Sequence, residues 1–218
     1  MQRNLFFLPL ILCALLLPNT KANAQFNPLG RDNTVIGLDR QNGAIIMTAL
    51  GVGAYFLTKN VPEENKAKFY QLHFAFFEGD GYNVYMQNFG IEREYSHWFS
   101  LRAEGNIQEF IREANSSDDT FGVGFKLYSR YTLFGNKKIS PFFEYGAGLF
   151  TALKQFPFDG SRFTFNLTYA VGLEFTLANQ NKIRADYNFI HHSNANIGRR
   201  NPGFDANGVS LSFSWVIK

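Results

Sequence analysis

The stretch RFTFNLTYAVGLEFTLA, residues 162–178, alternates strictly between two kinds of side chain. Every odd position is aromatic or aliphatic, from Phe163 to Leu177, and every even position is polar, charged or small. A period of two sorts side chains onto the two faces of a β-strand, whereas a helix would mix them. Strands of soluble proteins usually contain about 5–6 residues. The length therefore indicates a tilted strand that crosses a membrane and continues beyond it.

The same alternation recurs, with varying clarity, in the segments 68–78, 82–95, 99–108, 121–133, 139–153, 182–194 and 209–217. Short turns at 95–98, 135–138 and 178–181 and longer loops at 112–119, 156–161 and 197–207 fit periplasmic and external connections. The 25 Phe, 10 Tyr and 19 Gly agree with this class of protein. The sequence predicts an all-β fold, an eight-stranded antiparallel transmembrane β-barrel of the outer membrane.

The first residues have the form of a secretory signal peptide. Arg3 gives a positive start, residues 5–17 are an apolar core, and Ala22-Asn23-Ala24 is a small-x-small cleavage signal. We expect residues 1–24 to be removed and the protein to be exported. Cys13, the only cysteine, would leave with them, so no disulfide is expected. The formal net charge of only +3 gives no reason to expect nucleic acid as a partner.

Residues 25–66 do not continue the barrel pattern, so the predicted barrel domain is 67–218. Residues 44–57 are apolar except for Thr48. This stretch predicts either a short helix on the periplasmic rim or membrane surface, or an extra strand. After residue 24 no apolar run reaches the 18 residues that a transmembrane helix needs.

The inward-facing side of the predicted strands carries many charges. Eight strands leave an interior that side chains fill, so these charges predict a paired network that closes the barrel rather than a channel. The residues concerned are Arg102, Glu104, Lys126, Arg130, Glu144, Glu174, Arg184 and Asp186.

The end of the seventh strand carries His191-His192-Ser193-Asn194, and Asp205 follows one loop later. By parity His191 and Ser193 share the apolar face, which in a membrane barrel meets lipid. A base, a hydroxyl and a carboxylate are the parts of a serine hydrolase triad, and a lipid-facing nucleophile suggests a lipid substrate. The alternative interpretation is an interfacial anchor, since His-x-Ser is common and strand ends often carry such residues.

These residues resemble the PagL-type lipid A 3-O-deacylases of Gram-negative outer membranes. The matching features are His191-x-Ser193-Asn194, then Asn201-Pro202-Gly203 and then an acid, within residues 187–215. The family acid is Glu, and this chain has Asp205.

The resemblance implies an integral outer-membrane serine esterase that removes the 3-O-linked 3-hydroxyacyl chain from lipid A of lipopolysaccharide. Ser193 would be the nucleophile, His191 the base and Asp205 the acid, with Asn194 and Asn201 supporting the oxyanion. No metal and no diffusible cofactor is implied. Arg199 and Arg200 in the adjacent loop could grip the phosphates of lipid A or could be ordinary solvated charges.

Two other functions stay open at this point. A non-catalytic structural or adhesion barrel would not need Ser193, and a different lipid-remodelling barrel would be a phospholipase or an acyltransferase. The sequence also leaves open a homodimer and the preferred acyl-chain length.

Overall fold

The computed structural model describes residues 34–35, 38–62, 66–114, 116–135, 137–157, 160–194 and 202–217, with side chains described from residue 48 onward. The predicted signal peptide, residues 1–24, lies outside this part of the chain.

Eight antiparallel strands close into a barrel in the order β10-β3-β4-β5-β6-β7-β8-β9. This confirms the predicted fold class. The strands are β3 (Lys68–Gly79), β4 (Tyr82–Ser96), β5 (Phe99–Arg112), β6 (Thr120–Thr132), β7 (Ile139–Phe156), β8 (Ser161–Thr176), β9 (Lys182–Ser193) and β10 (Phe204–Val216). A short 3-10 helix, Ser116–Asp118, lies in the loop between β5 and β6.

The last strand begins earlier than the sequence pattern predicts. The pattern placed its start at Val209 and assigned residues 197–207 to a loop, but β10 begins at Phe204. Residues 204–207 continue the alternation, because Phe204 and Ala206 are fully buried in the barrel while Asp205 and Asn207 point outward. The outward positions are polar here, so the membrane pattern is interrupted although the strand is not.

The wall separates an apolar exterior from a filled interior. In β6, Phe125 and Leu127 are 51% and 58% exposed, whereas Lys126 between them is completely buried. The exposed apolar side matches the lipid-facing surface of an outer-membrane barrel.

Ion pairs fill the periplasmic half of the interior. Arg102 makes two hydrogen bonds to Glu144, at 2.7 and 3.1 Å. Arg184 contacts Glu174 at 2.7 Å and Glu92 at 2.9 Å. Buried charges are tolerated when they are paired and hydrogen-bonded in this way. Most of the inward charges therefore form the paired network that the sequence predicts. The two exceptions are hydrogen-bonded to hydroxyl groups: Lys126 donates to Thr168, and Asp186 accepts from Ser210.

Aromatic side chains fill the external half. We call this set the aromatic plug: Tyr82, Phe110, Phe150, Phe156 and Phe204. The ring centroids of Phe110 and Phe156 lie 3.8 Å apart, and Tyr82 meets Phe204 edge-on at 5.8 Å. The plug residues are buried together beneath the external strand ends and support them by packing.

A helix precedes the barrel. Two short strands, β1 (Thr34–Val35) and β2 (Leu38–Asp39), pair with each other and lead into α1 (Arg40–Thr58). Of the two structures predicted for the apolar stretch 44–57, the helix is the one that forms. Among the described residues, no helix is both long and apolar enough to cross a membrane.

Candidate active site

The register of β9 and β10 brings the predicted base and acid together. His191 and Asp205 are direct cross-strand partners, so their side chains leave the wall on the same, outward side. The Nδ1 atom of His191 lies 2.7 Å from Oδ1 of Asp205. This contact commits one ring nitrogen to the carboxylate and leaves Nε2 for other chemistry.

The backbone of Asp205 is held from the neighbouring hairpin. Its N–H donates a 2.8 Å hydrogen bond to Oδ2 of Asp80, in the two-residue turn between β3 and β4. Asp80 and Gly81 both have positive φ, 47° and 75°, as a tight hairpin turn of this kind requires. Asp80 thus fixes the start of β10, where the acid lies.

The chain turns sharply just before β10. Gly203 has φ of +69°, a conformation that glycine adopts without strain. A side-chain Cβ at this position would begin 3.6 Å from Cε1 of His191, so the backbone at Gly203 lies close to the imidazole. As a result His191 is only 5% exposed although it lies on the outer wall.

An inward-facing pair supports the outward-facing one. His192 and Phe204 are also direct cross-strand partners, and both are fully buried. The His192 ring is hydrogen-bonded with Thr164 at 3.0 Å and with Asn166 at 2.6 Å, and its edge meets Phe150 of the aromatic plug at 5.0 Å. His192 therefore holds the end of β9 from inside the barrel.

Ser193 is the last residue of β9. It lies two residues beyond His191, on the same side of the strand, and is half-buried opposite Phe165 of β8. Asn194, which follows it, is 4% exposed. The other residues expected at the site, Asn201, Arg199 and Arg200, lie outside the described part of the chain.

The surroundings of the site are apolar on the membrane side. Phe163 and Tyr187 are 45% and 40% exposed on the outer wall, and the rings of Phe163 and Phe165 meet edge-on at 5.6 Å. A long acyl chain could lie on this surface without contacting water. A carboxylate-oriented imidazole that reaches a hydroxyl can activate it for attack on an ester, and Ser193 supplies a hydroxyl on the same side of β9 as His191.

Sequence patterns alone did not identify two supporting features, Asp80 and the aromatic plug. The turn at Asp80 could have been predicted, because the dipeptide Asp80-Gly81 between two alternating segments is a strong signal for a tight hairpin turn with positive φ. Its bond to Asp205 joins residues 125 positions apart, which no local pattern reveals.

Comparisons with known proteins give one family and a fold. The model of the family described as "Lipid A 3-O-deacylase (PagL)" matches residues 80–214. The crystal structure of the outer membrane enzyme PagL is 18% identical and superposes with a TM-score of 0.51, covering 65% of this chain and 97% of that one. The crystal structure of Neisserial surface protein A is 12% identical with a TM-score of 0.50, covering 70% and 97%. At these identities the two structures support the fold alone. No curated protein matches the chain.

Proposed function

The chain belongs to the lipid A 3-O-deacylase (PagL) family of outer-membrane hydrolases, and we propose that Ser193, His191 and Asp205 are the triad with which it acts on lipid A. The observation that carries this assignment is the 2.7 Å contact between His191 Nδ1 and Asp205 Oδ1 on the outer wall. The family match starts at Asp80 and ends at Ser214, so it includes all three residues.

The proposed reaction begins with attack by Ser193 Oγ on the carbonyl carbon of the 3-O-linked ester. His191 takes the hydroxyl proton at Nε2, and Asp205 stabilises the resulting imidazolium. When the tetrahedral intermediate collapses, His191 gives the proton to the sugar oxygen that leaves. Water then attacks the acyl-serine with His191 again as the base, which releases a 3-hydroxy fatty acid and regenerates Ser193.

Two asparagines complete the proposal. Asn194 follows the nucleophile directly, and its donors would stabilise the oxyanion that forms on the carbonyl oxygen. Asn201 is proposed for the same task on the basis of the family pattern in the sequence. Arg199 and Arg200 are proposed for the lipid A phosphates because they lie in the adjacent loop and a planar guanidinium binds phosphate well. Lipid A and lipopolysaccharide are thus the partners at the external end. The homodimer that the sequence leaves open stays a prediction, which chemical cross-linking in outer membranes tests.

A fluorophosphonate probe tests the assignment of the nucleophile, because such probes phosphorylate an activated serine. We expect a single adduct, located on Ser193 by peptide mass spectrometry, that Ser193→Ala and His191→Ala both abolish. Ser210→Ala is the matched control, since Ser210 lies in the interior beside Asp186 and should leave labelling unchanged. Labelling that persists in Ser193→Ala would overturn the triad without affecting the family assignment.

A further inference from the structure

Helix α1 lies against the outside of the barrel. A side chain added at Gly51 would begin 3.4 Å from the Cβ of Ser129, and 3.9 Å from the hydroxyl of Tyr131. Ser129 and Tyr131 have the same parity in β6 as Phe125 and Leu127, which are exposed on the lipid-facing wall. The helix therefore covers part of the surface that would otherwise meet the membrane.

The helix crosses the strands instead of following one of them. Tyr55 meets Tyr95 of β4 edge-on at 5.4 Å, Gly51 faces β6, and Thr48 interacts with the hydroxyl of Tyr145 in β7. These contacts all lie within a few residues of the periplasmic strand ends. An element that spans β4 to β7 at one level runs along the plane of the membrane, close to its periplasmic boundary.

Within residues 49–58, the face of α1 turned away from the barrel is apolar. Small and polar residues make the contact with the wall: Ala54 is 5% exposed and Thr58 is 3% exposed. On the other side Val52, Phe56 and Leu57 are 51%, 57% and 60% exposed. A helix in water normally presents a polar face to solvent, and a helix that turns large apolar side chains away from the protein requires a non-aqueous neighbour.

Positive charges lie at the C-terminal end of this helix. The Nζ atom of Lys59 is 4.7 Å from the ring centroid of Phe56. Lys66 donates a 2.9 Å hydrogen bond from Nζ to the carbonyl oxygen of Lys59, and it also lies 5.5 Å from the ring of Tyr95. Ammonium groups on apolar stems beside aromatic rings are typical of residues that reach from the acyl region to headgroup phosphates.

We propose that α1 is an interfacial helix that binds phospholipids of the periplasmic leaflet. Val52, Phe56 and Leu57 would lie among acyl chains, and Lys59 and Lys66 would contact the headgroup phosphates. The helix would thereby fix how deeply the barrel sits in the membrane, while the candidate active site lies at the opposite leaflet. This inference does not depend on the triad.

Site-directed spin labels test the position of the helix. Single cysteines would replace Phe56 and Leu57, in vesicles of phosphatidylethanolamine and phosphatidylglycerol; the only native cysteine, Cys13, is expected to leave with the signal peptide. Val123→Cys on the lipid-facing wall and Ser117→Cys in an external loop serve as controls. Oxygen is concentrated in the bilayer and a nickel chelate stays in water, so we expect labels at positions 56 and 57 to collide more with oxygen, as the label at position 123 does. More frequent collisions with the nickel chelate, as expected for the label at position 117, would overturn the proposal.

The phosphate contact is tested separately by native mass spectrometry with phosphatidylglycerol. Replacing both Lys59 and Lys66 by Gln should lower retention of the bound lipid roughly tenfold, because each removes one charge from the headgroup level. Lys154→Gln, which removes one charge near the external end, should leave retention unchanged. Equal retention by the double variant and the unaltered protein would contradict the assignment of these lysines.

Discussion

The Nδ1 atom of His191 lies 2.7 Å from Oδ1 of Asp205, and the two residues are direct partners in the β9–β10 ladder. The strand pairing itself therefore positions the base and the acid. Because the ladder fixes both backbones, changes to the carboxylate should act on chemistry more than on folding.

The role of Asp205 as the acid can be tested by two substitutions, one expected to lower activity and one expected to preserve it. Asp205→Asn should lower kcat by roughly 10³–10⁴-fold, because an amide can favour the wrong imidazole tautomer. Asp205→Glu should retain most of the activity, since it restores the residue that the family resemblance leads us to expect. The measurement is release of 3-hydroxy fatty acid from lipid A in micelles, per folded molecule. Equal rates for Asp205→Asn and the unaltered protein would remove Asp205 from the triad.

The two adjacent histidines should behave differently. His191→Ala should lower kcat at least about 10³-fold with little change in stability, because its side chain acts on the reacting hydroxyl. His192→Ala should lower the free energy of unfolding by about 2–4 kcal/mol, because it removes buried hydrogen bonds and ring contacts under the plug. Urea unfolding and turnover per folded molecule distinguish the two variants. A loss of stability in His191→Ala together with a loss of activity in His192→Ala would contradict the placement of His191 outside and His192 inside the barrel.

The hydrogen bond from Asp205 to Asp80 predicts a positioning role. Asp80→Gly should lower kcat roughly tenfold and leave KM nearly unchanged, because the acceptor is lost while the positive φ is preserved. Asp80→Asn is the matched control, since its side-chain oxygen still accepts the N–H and asparagine tolerates this conformation. If Asp80→Asn is as slow as Asp80→Gly, the hydrogen bond to Asp205 is not how Asp80 acts.

The buried ion pairs should matter for stability alone. Arg102→Met should lower the free energy of unfolding by about 3–5 kcal/mol, because Glu104 and Glu144 lose their guanidinium partner while remaining buried. Adding Glu104→Gln should recover part of this loss, since the uncompensated charge is then removed. Urea titration in micelles measures both. If Arg102→Met alone is as stable as the unaltered protein, the ion-pair network does not stabilise the barrel.

Much of the fold follows from the alternation of side chains. Residues 162–178 predicted β8 to within two residues, because nothing interrupts its apolar face. The start of β10 was missed because Asp205 and Asn207 occupy outward positions that are apolar elsewhere in the wall. The site itself thus disturbs the pattern that would locate it.

The chemistry at the site was only partly accessible from the sequence. Parity predicted that His191 and Ser193 share one side of the wall, and the register adds Asp205 to that side as the cross-strand partner of His191. The contact with Asp80 and the closeness of Gly203 to the imidazole depend on how separate segments meet in the closed barrel. Local patterns carry no information about such contacts.

The most direct test of the proposed triad is mass spectrometry of lipid A from cells that produce the protein, compared with cells that produce Ser193→Ala at the same outer-membrane level. We predict the loss of one 3-hydroxyacyl chain with the unaltered protein and intact lipid A with the variant. Loss of the same chain in both strains would contradict the role of Ser193. Intact lipid A in both would contradict deacylation of that lipid A.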